Sequence, residues 1–361
     1  MSEGVFCRNG RVREHLDRLV ASSKAPGIQY VVVDSAQVVF AHDGGWADIR
    51  RRAALGPVTT MMAYSMSKTI TAVAVLQLVE ANRIRLDAPV VEYVSGIPYG
   101  PQATVRQLLA HTSGVPNPIP LRWVHLADRH AALDEGAALA KVLREHPRLS
   151  FPPGSKYAYS NIGYWLLGRV VEEASGEPFT TYVESHVLRP LDAPPAELAY
   201  SIPDPSRHAA GYLARYSVMN LVKRFLIDRE LVGEYDGRWL SIRSHYVNGP
   251  AFGGLVGTAR AFGRFLQDQL ASRSRLLGEG VRGLLYAPQH VGRGTPIPMT
   301  LGWHVSDLAG IRYFYKEGGG GGFHSMMRLY PDPGLATVMM ANATGFDVRA
   351  ALDAADTRFV R

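Results

Sequence analysis

In the stretch "YSMSKTITAVAVLQLVE", Tyr64 to Glu80, Ser65 stands three residues ahead of Lys68 where an apolar helix is expected to begin. A serine hydroxyl is a poor nucleophile until a base takes its proton, and lysine serves once burial or a nearby positive charge lowers its pKa. Spacing i,i+3 puts both side chains on one helix face. If the helix begins at Ser65, the free N–H groups of its first turn favour negative charge developing there. Taken alone, the pair is equally what a polar helix start with a solvated lysine looks like.

A second stretch, "PPGSKYAYSNIGYWLLG", carries Tyr159-Ser160-Asn161 just before another apolar helix. Asn161 could cap that helix and Tyr159 could be a buried aromatic with a satisfied hydroxyl. Alternatively, Tyr159 relays protons beside Lys68 while Asn161 orients the pair. In a third stretch, "YKEGGGGGFHSMMRLYPD", Lys316-Glu317-Gly318 runs into glycines between two strand-like segments. Glycine lets a backbone approach a ligand closely and present N–H groups to an oxyanion or carboxylate. A flexible hairpin would look the same, whereas a phosphate loop lacks its G-K-[ST] ending and its G-x-G-x-x-G.

Read together, the ordered motifs S-x-x-K, Y-S-N and K-x-G resemble the serine β-lactamase and penicillin-recognising family. The likeness is to its branch of class C β-lactamases, D-alanyl-D-alanine carboxypeptidases and family VIII carboxylesterases. "LLAHTSGVPN" at Leu108 to Asn117, "AFGGLVGTARAFGRF" at Ala251 to Phe265 and "LGWHV" at Leu301 to Val305 extend the resemblance over nearly the whole chain. It implies that Ser65 forms an acyl-enzyme, Lys68 accepts its proton, and Tyr159 passes protons to the leaving group and then activates water. Asn161 would position Lys68 and the substrate, and the N–H groups of Ser65 and Gly319, just after Lys316-x-Gly318, would form the oxyanion hole. Glu317 stands where the family usually has Thr or Ser, and a carboxylate there opposes a substrate carboxylate if both point inward. The glycine run leaves the register of this motif open by a residue.

Other patterns narrow the chemistry. There is no G-x-S-x-G elbow and no H-E-x-x-H, so neither a metal nor a cofactor is expected. His111 reads as a turn or supporting hydrogen-bonding residue, and His304 and His324 flank the expected active-site strand.

The elements that must position these residues follow from periodicity. Gly10 to Ser23 has helical spacing, and two β-rich runs flank a turn at Asp34 to Gln37. Helical signals dominate from Ser65 to Gln269, with a capping box at Thr104-x-x-Gln107, an amphipathic run from Asn161 to Glu173 and a cap at Thr258. "PMTLGWHV", "IRYFY", "FHSMMRLYP" and "LATVMMANA" read as strands before a last helix, Val348 to Phe359. The expected class is α+β, an antiparallel sheet assembled from both termini with an inserted helical lobe. Residues 1–60 and 290–361 would form the discontinuous α/β lobe and 61–289 the mainly helical one, with the site between them. Within the latter, Gly211 to Trp239 is either packing or a lid that shapes the substrate pocket.

Composition sets the outer bounds. At 361 residues and 47% hydrophobic content the chain can bury a large core. Its 39 Lys and Arg against 32 Asp and Glu are scattered, so no nucleic-acid surface is expected. The longest strongly apolar run, Thr69 to Val79, is well short of the roughly 20 residues that span a bilayer. A single cysteine, Cys7, excludes an intramolecular disulfide. The opening residues lack a secretory pattern, which makes a cytoplasmic protein the expectation if the chain is full length. The favoured activity is a carboxylesterase for small to medium acyl esters. Its rivals are a β-lactamase or D-alanyl-D-alanine peptidase taking a β-lactam-like or peptide substrate, an acyltransferase, and a non-catalytic scaffold.

Overall fold

The strand Gly27–Val33 is buried at every position, the signature of a strand covered on both faces. It lies inside a seven-stranded sheet ordered His304–Leu308, Ile311–Gly320, Phe323–Tyr330, Leu335–Ala341, Gly27–Val33, Val38–Asp48 and Ala53–Ala54. Every neighbouring pair is antiparallel, so strands from the two ends of the chain meet at the Gly27–Val33 and Leu335–Ala341 pair, with Val31 opposite Val338. The computed structural model describes residues 3–118, 123–221 and 228–361.

Side-chain alternation along the strand assigns the two faces. Ile28, Tyr30 and Val32 pack with Val12 and Leu16 of the helix Glu3–Ala21 and with Leu352 and Phe359 of the helix Val348–Val360. Val31 and Val33 turn the other way, into the cluster that holds Phe262 and Phe265 of the helix Ala259–Leu270. The first helix starts ahead of Gly10, before the apolar spacing that identified it begins.

Behind the sheet sits the helix Ser67–Glu80, buried from Ser67 through Leu76 and again at Leu78. A helix apolar almost all round belongs inside a core. Against it packs Asn161–Ser175. The capping box at Thr104 is formed on both sides, and Thr258 accepts from the Ala261 N–H as expected.

The segment Gly211 to Trp239 departs from the helical expectation. It holds the strands Gly211–Ala214 and Val232–Asp236, which join Trp239–Ile242 and Ala343–Thr344 in a four-stranded sheet. Ala343–Thr344 pairs in parallel with Tyr212 and Leu213, a partner more than a hundred residues away that local periodicity cannot register. Residues 222–227 lie outside the described residues. "PMTLGWHV" also differs from expectation, since its strand begins only at His304. Among the described residues no helix is long and apolar enough to cross a membrane.

Candidate active site

Ser65 does not begin the long helix. It occupies a single tight turn, Tyr64–Met66, and the α-helix starts at Ser67. Just ahead of Ser65, Tyr64, whose φ of +46° is left-handed, stops any right-handed helix from extending further back. Two contacts hold it there: its hydroxyl lies 2.9 Å from the Gly321 carbonyl and 2.9 Å from His245 Nε2. The glycine run makes room for this turn. A Cβ on Gly318 would lie 2.0 Å from the Ala63 carbonyl oxygen, and one on Gly320 would lie 2.4 Å from Tyr64 Cζ. Lys316, Gly318 and Gly319 lie on Ile311–Gly320, opposite Met327, Ser325 and His324.

On Ser65 Oγ converge Lys68 Nζ at 3.0 Å and the Tyr159 hydroxyl, which donates at 2.8 Å. Lys68 is fully buried, and Nζ also contacts Asn161 Oδ1 at 2.8 Å and the Phe252 carbonyl at 2.7 Å. Burial, reinforced by the charge of Lys316, pushes the Lys68 pKa well below its ordinary value. Lys316 is itself fully buried, its Nζ has no hydrogen-bond partner among the described residues, and burial brings its pKa down to about 7. Its Nζ lies 5.3 Å from the Tyr159 ring centre. Burial raises the Tyr159 pKa, which keeps its phenol protonated at neutral pH.

Asn161 is not the cap of its helix. Ser160 takes that position, its hydroxyl accepting from the Gly163 N–H at 2.9 Å, which frees the Asn161 amide for Lys68. Asn161 is held in turn by Asn117 Oδ1, which accepts from its backbone N–H at 2.9 Å and its Nδ2 at 3.1 Å. His111 supports the neighbouring residue: its Nδ1 accepts from the Ser160 N–H at 3.1 Å and its ring lies 4.3 Å from that of Tyr159. Burial and the two lysines push its pKa far down, so the ring is neutral. His304 is lowered to about 2 for the same reasons and hydrogen-bonds the Tyr157 hydroxyl at 3.2 Å.

Sequence reasoning did not single out Asn117, Tyr64 or the Phe252 carbonyl. Asn117 closes the quoted run "LLAHTSGVPN", which was its only signal, while a backbone carbonyl leaves none. Glu317 turns to His324, whose Nε2 donates to Oε1 at 2.8 Å, with Arg349 Nη2 at 3.5 Å from Oε2. These partners hold its carboxyl below the usual range.

Ser65, Asn161 and Gly319 open on a cavity of about 310 Å³ whose other walls are mostly apolar. Among the described residues, no three His, Cys, Asp or Glu side chains converge as a metal site would need.

A family model described as Beta-lactamase matches residues 12–360. Protein flp of Staphylococcus aureus strain MW2 is 29% identical over 173 residues, which take in 46% of this chain and 33% of that protein. The putative penicillin-binding protein PbpX of Bacillus subtilis strain 168 is 27% identical over 183 residues, 51% of this chain and 43% of that one. The match thus spans only about a third of flp and less than half of PbpX. Among solved structures, the octameric penicillin-binding protein homologue from Pyrococcus abyssi superimposes with a TM-score of 0.78 at 21% identity, covering 96% of this chain and 76% of that one. SurE gives 0.75 at 26% identity over 98% and 77%. The D-amino acid amidase from Ochrobactrum anthropi SV3, solved with D-phenylalanine, gives 0.77 at 19% identity over 97% and 98%. With the model matched along almost its full length, the chain belongs to the beta-lactamase family, and it shares the fold of these neighbours.

Proposed function

We propose that the protein is a carboxylesterase that cleaves small to medium acyl esters through an acyl-enzyme on Ser65. The acyl-enzyme part of this reading is carried by the set of partners around Lys68 Nζ. A neutral amine has two N–H bonds and one lone pair, and two of its neighbours, the Asn161 and Phe252 carbonyl oxygens, can only accept. Both N–H bonds are thereby used, and the lone pair is left for the Ser65 hydroxyl proton at 3.0 Å. Burial beside Lys316 favours that neutral form.

Ser65 Oγ then bonds to the ester carbonyl carbon as its proton passes to Lys68. The N–H groups of Ser65 and Gly319 receive the oxyanion; one such donor is typically worth about 100- to 1000-fold in rate. Collapse breaks the carbon–oxygen bond to the alcohol, and Tyr159 hands the leaving oxygen its proton, replenished from Lys68. Water repeats the sequence on the acyl-enzyme, giving the carboxylate and free Ser65.

Glu317 turns to His324 and Arg349 and does not border the cavity, so the preference for an ester without a carboxylate over a β-lactam rests on the mostly apolar walls described beside Ser65. A second reading, hydrolysis of D-aminoacyl amides or esters, is favoured by the D-amino acid amidase among the structural neighbours. The experiment compares p-nitrophenyl butyrate, nitrocefin and D-phenylalanine amide on wild type and Ser65→Ala. Fast butyrate cleavage, slow or absent turnover of the other two and complete loss in the variant are expected. Preferential D-phenylalanine amide turnover would install the second reading, and an active Ser65→Ala enzyme would overturn both.

A further inference from the structure

We infer that the apolar cavity beside Ser65 holds the acyl part of the substrate, not its alcohol, and accepts an uncharged chain of about eight to ten carbons. The inference rests on Ser65 being the acylated residue, as proposed above. Ser65, Asn161 and Gly319 to Gly321 border the cavity, whereas Lys68, Tyr159 and Lys316 do not. The proton for the departing alcohol comes from Tyr159, so the alcohol leaves on the Tyr159 side. The acyl group, bonded to Ser65 Oγ, is the part left facing the cavity.

The walls state what kind of acyl group fits. Leu213, Leu231, Ile242, Val247, Phe252 and Phe323 supply apolar surface, and among the described residues no Lys or Arg lines the space. Its imidazoles are already engaged. His245 is bonded to the Tyr64 hydroxyl and the Arg243 carbonyl, with its pKa lowered by burial, and His324 is bonded to Glu317. Against these described walls a carboxylate at the far end of an acyl chain would be desolvated without a counter-ion. The volume, about 310 Å³, is roughly twice the ~150 Å³ of an apolar cavity known to hold benzene, which sets the chain length.

Leu213 and Ile242 come from the small sheet around Gly211 to Ile242, and Leu231 from the single helical turn Arg229–Leu231 that leads into its strand Val232–Asp236. Chain-length selection is thus separated from the catalytic groups, which sit on the main sheet edge and the helices behind it.

The test uses p-nitrophenyl esters from acetate to dodecanoate at fixed leaving group, and alkyl butyrates from methyl to octyl at fixed acyl group. Burying a methylene is worth about 0.8 kcal/mol, so kcat/KM should climb about fourfold per carbon along the acyl series until the cavity fills. The alcohol series should stay nearly flat. Leu231→Trp should move the optimum to shorter acyl chains, and Leu231→Ala and Ile242→Ala, which open space, to longer ones. In parallel, the rate of Ser65 labelling by ethyl and octyl fluorophosphonates reads the cavity without ester turnover. A flat acyl profile, a steep alcohol profile, or an optimum unmoved in all three variants would overturn the inference. Octyl preference in labelling with no ester cleavage would keep the acyl cavity and sink the esterase reading instead.

Discussion

Lys316 is where catalysis and stability oppose each other. Buried without a hydrogen-bond partner among the described residues, its ammonium disfavours a second charge on Lys68. Replacing it by methionine removes that charge and raises the Lys68 pKa. Since the proposed base is neutral Lys68, activity falls as pH drops through its folded pKa, and the acid limb of the kcat/KM profile should move to higher pH in Lys316→Met. Stability should change in the opposite sense. The Lys316 pKa falls from 10.5 unfolded to about 7 folded, so the unfolded chain binds more protons between those values, and wild-type stability should rise as pH goes from 7 to 10. Lys316→Met should show a higher Tm at pH 7 and a weaker rise, measured by calorimetry across that range. A lower Tm in the variant would contradict the account.

At the scale of elements, the strand Ile311–Gly320 must press against the Tyr64–Met66 turn, and glycine at 318 permits it. Gly318→Ala puts a methyl 2.0 Å from the Ala63 oxygen and 3.0 Å from the Ser65 nitrogen. Strand and turn must separate, taking the proposed Gly319 donor away from Ser65. The expected loss in kcat is on the order of 100-fold or more, with far-ultraviolet circular dichroism retained. Gly319→Ala meets only the edge of the His324 ring at 3.2 Å and should lose much less. Equal losses would place the effect somewhere other than the turn.

The whole molecule is tied together across its two ends by one buried carboxylate. Asp356, on the last helix, accepts from Tyr30 at 2.8 Å, Tyr330 at 2.7 Å and Thr337 at 3.1 Å, and pairs with fully buried Arg328 at 3.3 Å. Its partners lie on strands from both ends of the chain. Removing Asp356 strips Arg328 of its fully buried partner and three hydroxyls of their acceptor, so Asp356→Ala should cost about 3–5 kcal/mol by urea denaturation. Asp353 remains 2.7 Å from Arg328, and in Asp353/Asp356 double alanine variants the loss should grow further. A loss below 1 kcal/mol in the single variant would mean that Asp353 alone suffices.

The amino-acid sequence by itself determined the family and the α+β class and singled out Ser65, Lys68, Tyr159 and Asn161, which the structure brings together, because these depend on residue type, order and short-range period. The capping box at Thr104 was legible for the same reason: its partners are three residues apart. Tertiary structure decided what depends on distant partners. Pairing with Trp239–Ile242 and with distant Ala343–Thr344 made strands of a segment that had read as helical, and the Gly321 carbonyl and His245 hold the Tyr64 ring beside its left-handed turn. The burial of Lys68 and Lys316, which sets their protonation, and the direction in which Glu317 turns likewise come from residues brought together through space. Short-range patterns name the chemistry; long-range packing fixes the pKa values, the cavity and the path of the backbone around them.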